Sequence, residues 1–207
     1  MAVTGLAMIG YLVAHMVGNL KVFSGAESFN SYSQWLRTVG EPVLPNSGFL
    51  WIMRIALLVA VVLHIVSAVQ LTRRNVHGQP KVRAGKKLGG TYLAFTMRSG
   101  GVVLALFVIW HLLDLTTLTV NERALEGHPY ENLVATFSTW YGNVIYLVAL
   151  LAVGFHLWHG IWAACQTLGV GTARRNRAIR GFAALVAVAI AGGFALVPLS
   201  VMTGVVS

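Results

Sequence analysis

The sequence predicts an all-α membrane protein of five transmembrane helices, and three observations predict it. Hydrophobic residues make up 57% of the chain and charged residues only 10%, against roughly 25% charged in an average soluble domain. The apolar residues gather in five runs, each close to the ~20 residues needed to cross a bilayer. The connections between those runs are short and alternate between basic and acidic character. The whole chain, residues 1–207, reads as one transmembrane domain with no internal repeat, low-complexity tract or second domain. Its single cysteine, Cys165, excludes an internal disulfide and any zinc or iron–sulfur site built from cysteines of this chain.

The first predicted span, about residues 1–20, contains a histidine and lacks the charged leader and small-residue cleavage site of a signal peptide. The stretch "KVFSGAESFNSYSQWLRTVGEPVLPNSG" follows. It is polar and aromatic with two prolines, and predicts a loop or a loop with a short interfacial helix. The second span covers about 49–72. "RRNVHGQPKVRAGKKLGG", rich in Lys and Arg and free of acids, leads to the third span at about 97–120. "NERALEGHPYEN", with three glutamates and one arginine, precedes the fourth at about 137–168, and "GVGTARRNR" precedes the fifth at about 178–202.

The basic connections are therefore the second and fourth, and the glutamates lie in the first and third. By the positive-inside rule the N-terminus is cytoplasmic and the C-terminus faces outward. A net charge of +9 on a soluble domain would suggest nucleic acid. Here the cations lie where anionic lipid head groups and cytoplasmic partners would meet them, so no nucleic-acid partner is expected.

Five of the seven histidines fall inside predicted spans: His15, His64, His111, His156 and His159. His77 and His128 fall in connections. One buried histidine is explained as well by a hydrogen bond between helices as by a function. Four spans each carrying at least one are harder to explain that way, because polar groups at membrane depth cost roughly 2–3 kcal/mol each. At a helical rise of about 1.5 Å per residue, His15 lies about 9 Å and His111 about 16 Å from the outer ends of their spans. His64 and His156 lie about 14 and 20 Å from the inner ends of theirs.

Two pairs at two levels follow, the layout of a four-helix bundle holding two stacked haem groups with one imidazole on either side of each. Both axial positions would be filled, which suits electron transfer rather than gas binding. The fifth span has no histidine and would pack alongside, with Pro198 kinking its outer end. Depth alone slightly favours His159, about 15 Å from Gly169, over His156 as the partner of His64.

Arg54 and Arg98 sit at heights suited to haem propionates, or to snorkelling toward the head groups. Gly18, Gly100, Gly101, Gly154 and Gly160 lie near the histidines, where they would admit a flat macrocycle or simply let helices pack closely. Asp114 is the lone carboxylate within a span, which argues against a proton or metal transporter.

These residues resemble the cytochrome b membrane-anchor subunit of succinate dehydrogenases and fumarate reductases, in its single-anchor, five-helix, dihaem branch. The resemblance rests on "HMVGNLKVF" from His15, "VLHIVSAVQ" around His64, "TMRSGGVVLALFVIWHL" ending at His111, and "FHLWHGIWAACQTLG" from Phe155. "MAVTGLAMIGYLVAHMVGNLKVF" and "GEPVLP" look most like actinobacterial anchors.

The resemblance implies two haem b groups, one held by His15 with His111 and one by His64 with His156. His159 then becomes a propionate or quinone contact, or a histidine bonded between helices. It further implies flavoprotein and iron–sulfur subunits as partners, menaquinone as electron acceptor, and the bacterial cytoplasmic membrane as location. Electrons would enter at the inner haem. Quinone would lie near the outer haem, with Glu41 handling protons or merely solvated in its loop, or near the inner one against Arg98, Ser99 and His159.

Two departures stand out. Family members usually carry a cytoplasmic segment ahead of the first span, whereas this chain enters the membrane almost at Met1. Some dihaem fumarate reductases place a glutamate where Gly154 stands, so their proton route is not carried over. The other classes weighed are the haem subunit of another respiratory enzyme, such as a hydrogenase or formate dehydrogenase, and a haem-free structural anchor.

Overall fold

The computed structural model describes the backbone of residues 1–77, 88–170, 172 and 175–207, and the side chains of these apart from 75–77 and 88–94. Among the described residues seven α-helices follow in order: α1 (Ala2–Leu20), α2 (Ala26–Thr38), α3 (Gly48–His77), α4 (Leu88–Leu115), α5 (Pro129–Phe137), α6 (Trp140–Thr167) and α7 (Asn176–Met202). Five of these helices, α1, α3, α4, α6 and α7, are long and apolar enough to cross a membrane. Large apolar side chains such as Leu106, Leu151, Leu185 and Val188 remain more than 60% exposed on them. On helices of this length, a surface of that kind suits a lipid environment. Much of the basic connection between α3 and α4 lies outside the described residues, as does part of the one before α7.

The two helices that do not span, α2 and α5, lie at the end of the bundle where α1 and α4 finish. They are joined through Asn30, whose Nδ2 donates to Glu131 Oε2 at 3.0 Å and whose Oδ1 accepts from the Tyr130 backbone N–H at 3.0 Å. Val22, Phe29, Tyr130, Leu133, Phe137, Tyr146, Val197 and Val206 bury one another beneath this cap. The second buried cluster is the α6–α7 seam of Leu157, Ile161, Ala183, Ala187 and Ile190, where alanines let the two backbones approach.

Several predicted boundaries move: α3 extends to His77 rather than about 72, α4 begins at Leu88 rather than about 97, and two further shifts have a local cause. The third span ends at Leu115 rather than about 120, because the threonines that follow compete for the last carbonyls. Thr117 and Thr119 hydroxyls both reach Leu113 O, the Thr119 N–H bonds it at 2.8 Å, and Leu118 takes a left-handed φ of 60°. The fourth span does not begin at 137. That stretch is divided into α5 and α6 at Ser138 and Thr139, with Thr139 Oγ1 capping α6 by accepting from the Gly142 N–H at 3.1 Å. Pro129 at the start of α5 is the helix-start signal that marks the extra helix. His77, placed in a connection by sequence, is the last residue of α3.

Candidate functional site

His15 on α1 and His111 on α4 face each other with ring centres 5.9 Å apart at an interplanar angle of 83°. The earlier end of α4 puts His111 four residues, about 6 Å, from its helix end, and His15 is five residues, about 7.5 Å, from the end of α1. The two imidazoles are thus closer in level than the sequence estimate allowed. Tyr11 stacks on His15 one turn back at 5.3 Å, and Phe194 of α7 closes the other side at 5.6 Å. Around His111 stand Phe107 at 5.8 Å and Tyr146 at 5.9 Å.

A polar chain runs behind His111. Its Nδ1 is 3.2 Å from the Tyr146 hydroxyl, which donates to Asp114 Oδ2 at 2.8 Å. The Thr136 hydroxyl lies 3.1 Å from both Asp114 oxygens and accepts from Asn121 Nδ2 at 3.1 Å. Asp114 falls three residues after His111, hence on the same face of α4. A cleft of about 160 Å³ beside this chain is lined by Trp110, Asp114, Thr136 and Tyr141 among others.

His64 on α3 and His156 on α6 form the second pair, with ring centres 6.3 Å apart at 58°. His64 Nδ1 lies 3.1 Å from Thr4 Oγ1, whose own proton goes to Met1 O at 3.0 Å. The threonine oxygen therefore accepts, which places a proton on His64 Nδ1 and leaves Nε2 with a free lone pair. His156 Nδ1 is buried and, among the described residues, has no hydrogen-bond partner.

Three observations bear on whether these residues suit a haem. Two imidazoles bound to one metal ion from opposite sides, each at about 2 Å, have ring centres about 6 Å apart, close to both observed spacings. Neither α1 with α4 nor α3 with α6 is among the helix pairs that pack closely, so each histidine pair spans a wider interhelical gap. The contact of Thr4 with His64 Nδ1 leaves the His64 Nε2 lone pair available to a metal. The residues fit the group.

The remaining predicted positions divide between the two ends. Arg54 lies over its own helix's Trp51 at 5.0 Å, and Glu41 is an exposed loop residue whose Oε1 accepts from Asn46 Nδ2 at 3.2 Å. Both belong to the His15 and His111 end. Arg98 and Ser99 are exposed near the opposite end, and the Ser99 hydroxyl is spent on Phe95 O at 3.0 Å. His159 Nδ1 bonds Phe155 O at 3.0 Å within α6, and its ring rests against Trp158 at 4.9 Å. Its recorded partner is its own helix rather than a neighbouring one.

Of the glycines, a Cβ on Gly154 would meet Ala191 at 3.6 Å and one on Gly18 would meet Tyr32 at 3.4 Å, both helix-packing contacts. Gly5 and Gly101 lie nearest the second histidine pair. Cβ atoms there would stand 3.5 Å from His64 Cε1 and 3.9 Å from His156 Cε1.

Sequence reasoning singled out neither Tyr146 nor Thr4. Both act across a helix interface, and only the packing of α6 on α4 and of α1 on α3 brings them to a histidine.

The family model described as succinate dehydrogenase/fumarate reductase transmembrane subunit matches residues 70–196. The succinate dehydrogenase cytochrome b558 subunit of Bacillus subtilis (strain 168) is 25% identical over 185 residues, covering 88% of this chain and 84% of that protein. No solved structure matches the chain.

Proposed function

The chain belongs to the succinate dehydrogenase/fumarate reductase transmembrane subunit family, and from that premise we propose that it is the dihaem cytochrome b anchor of a succinate:menaquinone oxidoreductase. The observation that carries this reading is the meeting of four histidines from four spanning helices in two pairs, at 5.9 and 6.3 Å. His15 with His111, and His64 with His156, would each hold one haem b. Each haem, when bound, would supply one-electron carriage.

The chain's own part is to hold, orient and exclude. Tyr11, Phe107 and Phe194 keep water from the first pair. Thr4 holds His64 with Nε2 unprotonated by accepting a hydrogen bond from its Nδ1–H. Helices α6 and α7 supply the rigid seam against which α1 and α4 are set.

By the positive-inside rule the N-terminus would lie on the cytoplasmic side of the bacterial cytoplasmic membrane. The basic connections also offer a cationic surface to the iron–sulfur subunit that, with the flavoprotein, carries out succinate oxidation. In that orientation the His64 pair is the inner one, nearer the partner, and the His15 pair the outer one. Menaquinone would be met at the outer pair with Glu41 at hand, or at the inner end by Arg98, Ser99 and His159. Arg54 and Arg98 would answer the outer and inner propionates respectively.

The test is copurification on a tagged chain from its own membrane. Flavoprotein and iron–sulfur subunits in the same sample, with the reduced-minus-oxidised absorbance of b haem and succinate-driven menaquinone reduction, are expected. A stable complex with those subunits and no haem absorbance would overturn the electron-carrying role and leave a structural anchor.

A further inference from the structure

We propose that Asp114 and Tyr146 are positioning residues for His111, fixing which of its ring nitrogens carries the proton and thereby setting the potential of the haem that His15 and His111 hold. The proposal rests on the haem reading above and concerns the chain of hydrogen bonds behind one ligand.

With Asp114 ionised, the direction of every bond in that chain follows from donor and acceptor chemistry. A carboxylate only accepts. The single proton of the Tyr146 hydroxyl therefore goes to Asp114 Oδ2 at 2.8 Å, and that of Thr136 goes to the same carboxylate at 3.1 Å. Thr136 oxygen is then free to accept from Asn121 Nδ2, as it does at 3.1 Å. Tyr146 oxygen is likewise left with lone pairs alone, so its contact with His111 Nδ1 at 3.2 Å requires the proton to be on the imidazole. His111 is thereby held as the Nδ1–H tautomer with its Nε2 lone pair available to a metal.

Asp114, Thr136 and Tyr146 are all buried. Asp114 is 4% exposed and Tyr146 7%, and among the described residues no cation pairs with the carboxylate. A carboxylate in an apolar helix is costly unless its neighbours compensate it, and here Tyr146 of α6 and Thr136 of α5 donate to it, with Asn121 of the α4–α5 connection donating in turn to Thr136.

The consequence is electronic. A ligand imidazole that donates toward a negatively charged group is a stronger base at its other nitrogen, and a stronger base favours the more oxidised iron. The second pair lacks this device. His64 Nδ1 meets the neutral Thr4 hydroxyl, and His156 Nδ1 meets no protein partner among the described residues.

The experiment is a redox titration of the purified complex, followed optically and by electron paramagnetic resonance, for wild type, Tyr146→Phe and Asp114→Asn. Tyr146→Phe keeps the ring between Phe107 and Phe137 while removing the hydroxyl. Both variants should retain both haems. One haem should shift toward the reduced form by about tenfold at fixed applied potential, equivalent to about 59 mV for a one-electron couple. The other haem should titrate as in wild type. Should Tyr146→Phe fail to assemble, Asp114→Asn decides alone. Wild-type potentials at both haems in the assembled variants, or an equal shift of both, would overturn the proposal. A wild-type complex without haem, or His111→Ala that retains both haems, would instead overturn the haem reading and this inference with it, and is seen before any variant is titrated.

Discussion

His15 and His111 stand ring to ring at 5.9 Å, edge on, from two helices that do not pack closely on each other. Helices that pack directly bring their axes to about 8–10 Å. Here the imidazoles reach across a wider space whose walls are aromatic, and His64 and His156 repeat the relationship at another level. Two such gaps in one bundle are the structural basis of the proposed function.

The neighbouring histidines of α6 should behave differently. His159→Ala should leave haem content at wild-type level, because His159 Nδ1 bonds Phe155 O of its own helix and its ring rests on Trp158. His156→Ala should cost the haem held with His64. Haem quantified per mole of complex in the two variants checks this, and equal loss in both would refute the division of roles.

Thr4→Val removes the oxygen that accepts from His64 Nδ1 while keeping the shape of the side chain. A lost hydrogen bond to a part-buried imidazole costs about 0.5–1.5 kcal/mol. The expected outcome is faster release of the haem at that pair alone, read as the rate of haem loss to an acceptor apoprotein, with the His15 and His111 haem unaffected.

What was legible in the sequence, and what was not, divides along a physical line. The five spans could be read because length and apolarity are properties of each segment by itself. The end of the third span was misplaced because Thr116 to Val120 offers no glycine or proline stop, and only the capture of Leu113 O by Thr117 and Thr119 closes the helix early. The break before α6 carries local signals, Pro129 and the Thr139 cap, that apolarity alone conceals. The depths of the histidines could be estimated from the sequence, but depth favoured His159 over His156 as the partner of His64, and it is His156 that α6 brings to that ring. The place of Tyr146 could not be read, since nothing in its own segment says that it will meet a residue of α4.

Gly142→Ala should be among the more damaging small substitutions. A Cβ there would collide with the Thr136 carbonyl oxygen and come within 2.7 Å of Thr139 Oγ1, the cap of α6. Forcing volume into so tight a join costs about 1–3 kcal/mol. The check is a lowered thermal midpoint of the purified complex.

Asn30→Ala should loosen the cap without touching the histidines. It removes the bonds to Glu131 and to the Tyr130 N–H that fasten α2 to α5, together worth about 1–3 kcal/mol. Faster proteolysis or hydrogen exchange in α2 and α5, with an unchanged haem spectrum, is the expected result.

The central claim is that this chain holds two haems through two specific histidine pairs, and haem stoichiometry across the four single variants His15→Ala, His111→Ala, His64→Ala and His156→Ala tests it most directly. Wild type should hold two haems, and each variant should lose one. His15→Ala and His111→Ala should lose the same spectral component, and His64→Ala and His156→Ala the other. Retention of both haems in any of the four, or loss of different components within a pair, would contradict the account.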